Sequence, residues 1–141
     1  ISTKSAHYFY GFAITPKVYA DFVDMGVTDG YSETDYKKFK EAALVAATGF
    51  NTNAKMGCEN EFGLFVETEE DTYLPDLSQY VSFERSEGEK GVIDMSKASA
   101  LFADMKDRIS KIEVYYNPYT TELKGIPDQG ETLNLFTREE V

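Results

Sequence analysis

The sequence predicts a single α+β domain in which strands and helices alternate in the split βαβ order. Aromatic and β-branched residues recur with a period of two in several short segments, and two longer segments carry apolar residues at helical spacing. A chain of 141 residues with 42% hydrophobic residues is long enough to bury one core between two packed layers. We therefore expect residues 1–141 to form one domain.

The amino-terminal segment predicts a strand followed by a short helix. Residues 6–14 are aromatic and β-branched enough for a buried strand. Thr15 before Pro16 is typical of a helix start, because proline is well tolerated at the first helical position. Gly26 is typical of a helix end.

A longer helix and a clearly patterned strand follow. Ser32 and Asp35 resemble a capping box, and apolar and alanine residues recur at helical spacing up to Gly49. Residues 50–56 predict a weakly patterned strand, and residues 62–69 a clearer one. The period of two gives this second strand one face with Phe62, Leu64, Val66 and Thr68, and another with Gly63, Phe65, Glu67 and Glu69.

The carboxy-terminal half predicts two more strands around a second helix. Residues 80–84 alternate as a strand does, and residues 86–91 are typical of a turn. Ser96 is placed to cap a helix, and residues 112–116 predict a last strand. Residues 117–141 predict a turn-rich arm that could pack on a neighbour. The apolar face of the helix is predicted to contain Ala98, Leu101, Phe102, Met105, Ile109 and Ile112.

This order of elements is that of a ferredoxin-like sandwich, an antiparallel sheet with both helices on one face. The other sheet face would then be open and would carry aromatic side chains of the first strand. Exposed apolar patches of that size usually mark interfaces, so we expect a homo-oligomer.

The net charge limits which partners the chain is expected to bind, and the cysteine content indicates its cellular compartment. The net charge is −11 and the basic residues form no stripe, so we expect no direct nucleic-acid binding. The same acidity would suit an inhibitor that imitates DNA, or simply a solubilising surface. Cys58 is the only cysteine, and no apolar run reaches membrane-spanning length, so we expect a soluble cytoplasmic protein with no membrane partner.

Few residue types that carry catalysis are present. His7 is the only histidine and Cys58 has no matched partner, so we expect no metal site and no Ser-His-Asp triad. The ten glycines form neither GxGxxG nor a phosphate loop. Chemistry in this chain would have to depend on aromatic walls and carboxylates, such as Glu67 and Glu69, although paired carboxylates are also common on solvated strands.

Several short runs resemble one family. Thr3-Lys4, Ala6-His7 and Phe9-Tyr10 resemble the amino terminus of the phage S-adenosylmethionine lyases, a family formerly called S-adenosylmethionine hydrolases. Shorter similarities follow in the same order, at Gly63-Leu64, Val66-Glu67-Thr68, Lys97-Ala98, Ala100-Leu101 and Val114-Tyr115.

The resemblance implies a fold, an assembly and a reaction. The fold would be ferredoxin-like, and the assembly a homotrimer with sites between subunits. S-adenosylmethionine would be the substrate and would be cleaved to 5'-methylthioadenosine and L-homoserine lactone, without a cofactor or metal. The activity would deplete the methyl donor in the host cytoplasm and so act against restriction systems that need it.

The resemblance also implies roles for particular residues. Glu67 is the first candidate for the carboxylate that binds the substrate ammonium, and Glu69 is the alternative. Aromatic walls for the sulfonium would come from Tyr8, Tyr10, Phe62 or Phe65, although aromatic residues on strands are also common in cores.

Overall fold

The computed structural model describes residues 33–49, 61–69, 72–85 and 88–141. The strand predicted over residues 6–14, the short helix that ends at Gly26 and the strand over residues 50–56 lie outside these residues. The same is true of His7 and Cys58.

The described residues form two α-helices and six strands, an α+β arrangement. The elements are α1 (Glu33–Gly49), β1 (Phe62–Thr68), β2 (Ser82–Glu84), β3 (Gly91–Asp94), α2 (Ser96–Asp104), β4 (Ile109–Tyr116), β5 (Thr121–Lys124) and β6 (Gly130–Asn134), with 3₁₀ turns at Leu77–Tyr80 and Lys106–Arg108. The predicted helix that ends at Gly49 and the predicted strand from Phe62 are thus confirmed. Neither described helix is long and apolar enough to cross a membrane.

The six strands form two sheets of three. The first sheet has the order β1-β4-β6, with β1 antiparallel and β6 parallel to β4. The second has the order β2-β3-β5, with β2 antiparallel and β5 parallel to β3. Within the described residues each sheet is therefore mixed, and the expectation of one antiparallel sheet is wrong.

The main core lies between α2 and one face of the first sheet. Leu64 and Val66 of β1 stand opposite Val114 and Ile112 of β4, and these side chains pack with Phe102 of α2. The core is completed by Val81, Ile93, Met95, Ala98 and Ile109.

The two helices cover opposite faces of the first sheet. Phe65, on the other face of β1, packs with Tyr115 of β4 and with Leu44 of α1. Gly63 allows this approach, since a Cβ atom there would lie 3.0 Å from Leu44 Cδ2. The expectation that both helices share one face is therefore wrong, and α1 covers the face that was expected to be open.

The start of α2 differs from the prediction. Ser96 is the first helical residue and not the N-cap, and its backbone N–H donates to Asp94 Oδ1 at 2.9 Å. The Ser99 hydroxyl donates to the carbonyl of Gly125, which has a φ of +70° and whose missing Cβ leaves room for the Ser96 backbone. The N-cap position is Met95, which gives no side-chain cap, and the carboxylate of the preceding Asp94 accepts from the first helical N–H instead.

The end of α2 comes earlier than the apolar spacing predicts. The helix ends at Asp104, and the N–H of Met105 bonds back to the carbonyls of Leu101 and Phe102. Ile109 and Ile112, which continue the helical spacing, are buried residues of β4. β-branched side chains favour a strand, and here they pack on the core from the sheet.

The carboxy-terminal segment, predicted as a turn-rich arm, also contains two strands. Residues 121–124 join the second sheet and residues 130–134 join the first, in each case beside a parallel neighbour. β3, over residues 91–94, was not predicted either. Residues 117–141 therefore belong to both sheets of the domain.

Candidate functional site

Carboxylates and aromatic rings meet on the face of the first sheet that α1 covers. Phe65 of β1 stands directly opposite Glu113 of β4, and Glu67 stands opposite Lys111. Tyr115 lies two residues beyond Glu113 and therefore on the same face. The period of two thus collects two acids, two rings and a lysine on one surface.

Helix α1 contributes a second set of side chains to this surface. Tyr36, Lys40 and Leu44 are spaced four residues apart, so they lie along one side of the helix. Leu44 is buried against the sheet, and Lys40 reaches the strand residues beneath.

A buried ion pair joins the helix to the sheet. Lys40 Nζ donates to Glu113 Oε1 at 2.6 Å, with only 14% and 7% of the two side chains exposed. The Tyr115 hydroxyl donates to the other carboxylate oxygen at 2.8 Å. Lys111 lies further away, with its Nζ 3.8 Å from Glu113 Oε1. Both carboxylate oxygens are therefore hydrogen-bonded.

Two aromatic rings lie close to the ammonium of Lys40. Its Nζ lies 5.0 Å from the centroid of the Tyr36 ring and 5.8 Å from that of Phe65. These distances are within the range of cation–π attraction. Phe65 also meets Tyr115 edge to face, with ring centroids 5.8 Å apart and an interplanar angle of 84°. We call the Glu113 carboxylate and the Tyr36, Phe65 and Tyr115 rings the cation cage.

The electrostatics of the cage keep Glu113 ionised. Burial by itself would raise the pKa of Glu113, but the hydrogen bonds from Lys40 and Tyr115 and the charges of Lys40 and Lys111 outweigh burial and lower it. Burial, with the hydrogen bond to this carboxylate, raises the pKa of Tyr115 above its ordinary value. The cage is therefore a fixed negative charge beside a neutral hydroxyl, an arrangement suited to holding a cation.

A second ion pair joins α1 to Arg138 in the carboxy-terminal segment of the chain. Arg138 donates from Nε and Nη2 to the two carboxylate oxygens of Glu41, at 3.2 and 2.9 Å. The hydrogen bond from Arg138 lowers the pKa of Glu41. Arg138 has a φ of +63°, an unusual conformation for a residue with a side chain. The neighbouring residues Lys40 and Glu41 thus tie the helix to two separate parts of the fold.

Glu67 and Glu69, the two acids predicted from the sequence, lie in different surroundings. Glu67 is half-buried within β1, on the cage side of the sheet, and its carbonyl accepts a hydrogen bond from the Ser110 hydroxyl at 3.1 Å. The strand register shifts between Glu67 and Thr68. Glu69 follows this irregularity, is exposed and lies beyond the strand, so the period of two no longer assigns it to the face of Glu67.

The two predicted aromatic walls that the structure describes lie on opposite faces of β1. Phe65 is part of the cation cage, whereas Phe62 packs against the main core on the opposite face of β1. Tyr8 and Tyr10 lie outside the described residues.

Sequence reasoning missed Glu113, Tyr115, Lys40 and Tyr36 as candidate site residues. One signal was present at the end of β4, where Glu113 is the one charged residue of the run 112–116 and shares its face with Tyr115. Lys40 carried a second signal, because it occurs between Tyr36 and Leu44 on one side of the helix.

Other clefts among the described residues lie away from the cage. One is lined by Asp104, Met105, Asp107 and Arg108, and another by residues of the second sheet that include Glu84 and Lys124. No group of three or more histidine, cysteine, aspartate or glutamate side chains within the described ranges is placed to hold a metal ion.

Comparison of the chain with protein-family models gives no match, and comparison with curated proteins gives none.

Proposed function

We propose that this chain is an S-adenosylmethionine lyase of the phage type. It would cleave S-adenosylmethionine to 5'-methylthioadenosine and L-homoserine lactone in the host cytoplasm, and so remove the methyl donor that restriction systems need. The observation that carries the proposal is the position of Phe65 and Glu67. Both lie on the sheet face of Glu113 and Tyr115, where rings and carboxylates suited to a cationic substrate meet.

In this reaction the main task of the protein is to hold the substrate in a reactive conformation. The substrate's own carboxylate attacks its γ carbon, the bond from that carbon to sulfur breaks, and the electron pair of that bond goes to sulfur. The negative carboxylate and the positive sulfonium become a neutral lactone and a neutral thioether. Holding the substrate curled for this attack can contribute up to about 7 to 11 kcal/mol in favourable intramolecular cases.

Aromatic rings and one carboxylate supply what the reaction needs. Contacts of the sulfonium with rings such as Phe65 contribute about 0.5 to 2 kcal/mol each. Glu67 binds the substrate ammonium in this proposal, with Glu69 as the alternative, and the further walls come from Tyr8 or Tyr10. Phe62 is left out because it packs in the main core on the opposite face of β1. Because opposite charges disappear as the ring closes, a dry pocket favours the transition state over the charged substrate.

The proposed assembly is a homotrimer with sites between its subunits. Its support is the family resemblance alone, since α1 covers the sheet face whose exposure had suggested an interface. Sedimentation equilibrium tests the trimer directly, and a monomer at micromolar concentration would contradict it.

Turnover of S-adenosylmethionine tests the proposed function. Purified chain is incubated with S-adenosylmethionine, and methylthioadenosine and homoserine lactone are followed by chromatography. Glu67→Gln should lower kcat/KM far more than the control Glu122→Gln, which changes an exposed acid of β5. Absence of turnover at micromolar protein would refute the lyase. If Glu67→Gln and Glu69→Gln both left the rate unchanged, neither acid would bind the substrate.

A second function is favoured by the net charge of −11. In this alternative the chain is an acidic inhibitor that imitates DNA and binds a host defence protein. It predicts a salt-sensitive complex with a DNA-binding protein, displaced by duplex DNA, and no consumption of S-adenosylmethionine.

A further inference from the structure

We propose that the cation cage is a binding site for an organic ammonium or sulfonium ion, and that Lys40 fills it as an intramolecular ligand until such an ion displaces it. The inference rests on the proposed function in one respect, that S-adenosylmethionine carries both kinds of cation. It adds Glu113 to the residues that bind substrate, and it makes Lys40 a competitor of substrate.

The cage already has the composition of a cation site. A carboxylate whose side chain is 7% exposed accepts hydrogen bonds on both oxygens, and one donor is a tyrosine hydroxyl that stays neutral. Two rings lie within 6 Å of the bound ammonium, Tyr36 on the helix and Phe65 on the strand. This combination of a desolvated charge and ring faces is the one used to recognise quaternary cations.

Exchange of one cation for another leaves the charges of the cage balanced. Removing Lys40 alone would leave the buried Glu113 with only the more distant and more exposed Lys111 as a cationic partner, which is strongly unfavourable. A ligand ammonium takes over both the charge of Lys40 and its hydrogen bond to Glu113. A sulfonium has no N–H group, so it would be held by the carboxylate charge and the two ring faces alone.

Lys40 can leave without movement of its helix. Its ammonium is at the end of a flexible chain, whereas α1 is held by the contact of Leu44 with the sheet and by the pair of Glu41 with Arg138. Tyr36 is on the same helix and therefore stays in place when the Lys40 side chain rotates outward.

The first test is displacement of Lys40 in the unchanged protein. The Lys40 side-chain signals are followed by NMR while n-propylammonium or trimethylsulfonium is added, with 1-propanol as the neutral control. Lys37→Ala and Lys40→Ala assign the lysine signals. We expect the Lys40 signals to move to exposed-lysine positions with both cations and to stay with propanol. A Lys40 signal unchanged at the highest soluble cation concentration would overturn the proposal.

The second test removes the competitor. Lys40→Ala deletes the atoms that n-propylammonium would restore, so the cation should bind this variant at least tenfold more tightly than the wild type. Binding should raise the Tm of the variant by about 5 °C or more at a hundredfold excess over Kd. Lys40→Ala/Glu113→Gln should show no such rise, and Lys37→Ala should behave as wild type. If Lys40→Ala does not fold by itself, recovery of folding with the cation is the readout, and no recovery contradicts the proposal.

The outcomes separate this inference from the lyase. Turnover of S-adenosylmethionine without displacement of Lys40 would leave the lyase standing and remove the cage as its cation site. Displacement of Lys40 by both cations without turnover would establish the cation site and refute the lyase.

Discussion

Replacing Lys40 with methionine should make the stability of the domain depend on pH in a specific way. Methionine keeps an unbranched chain at this position but removes the charge, so Glu113 loses its 2.6 Å partner. Lys111 compensates little, because its Nζ is 3.8 Å away and its side chain is 46% exposed.

The expected loss at pH 7 is about 3 to 5 kcal/mol, the usual cost of leaving one charge of a buried pair without its partner. The sign of the pH dependence follows from the pKa of Glu113. In the wild type this pKa is lowered, so the pair stabilises the fold above the unfolded-state pKa of about 4.3 and less so as pH falls through the folded value. Without Lys40, burial is the largest remaining influence on Glu113, so we expect the folded pKa to rise above the unfolded one. The variant then regains stability as the acid takes up a proton.

Urea unfolding at pH 7 and near pH 4.5 measures both effects. The difference between wild type and Lys40→Met should be largest at pH 7 and should shrink markedly at the lower pH. Lys37→Met, which changes an exposed lysine of the same helix, should stay within about 0.5 kcal/mol of wild type at both pH values. A loss below about 1 kcal/mol at pH 7, or a loss that does not change with pH, would refute the buried pair.

Three further substitutions test the rest of the fold by urea unfolding. Phe102→Ala, at a side chain that is 1% exposed, should cost about 3 to 5 kcal/mol, and a loss under 1 kcal/mol would contradict its place in the core. Gly125→Ala should cost about 1 to 3 kcal/mol because φ is +70° and a Cβ would meet the Ser96 backbone, so an unchanged midpoint would contradict this turn. Arg138→Gly should change stability by less than about 1 kcal/mol, since loss of the partly exposed pair with Glu41 is offset by relief of the left-handed φ. A loss above 2 kcal/mol would show that the pair contributes more to stability than the relief of the φ angle returns.

Elements with a local pattern were predictable from the sequence. The helix that ends at Gly49 and the strand that begins at Phe62 each show their period within one segment, and both are confirmed. The end of α2 was not predictable in the same way, because Ile109 and Ile112 fit the helical period and are also good strand residues.

Features that depend on distant parts of the chain were missed. β5 and β6 are short, and each is held by a parallel neighbour far away in sequence, so their segments read as turns. In the cation cage Lys40 contacts Glu113, which is 73 residues away in the sequence. The residue pattern within either segment cannot predict that the two segments meet. The strand period assigns Phe65 and Glu67 to one face, as the structure has them, whereas Glu69 follows a register shift that the period cannot show. The roles of these residues come from the family resemblance and stay predictions.

The position of oxygen in the product tests the central claim most directly. The chain is incubated with S-adenosylmethionine in water labelled with oxygen-18, and the products are analysed by mass spectrometry. Attack by the substrate's own carboxylate predicts methylthioadenosine together with homoserine lactone whose γ oxygen carries no label. Label at the γ oxygen, or no methylthioadenosine at all, would contradict the account.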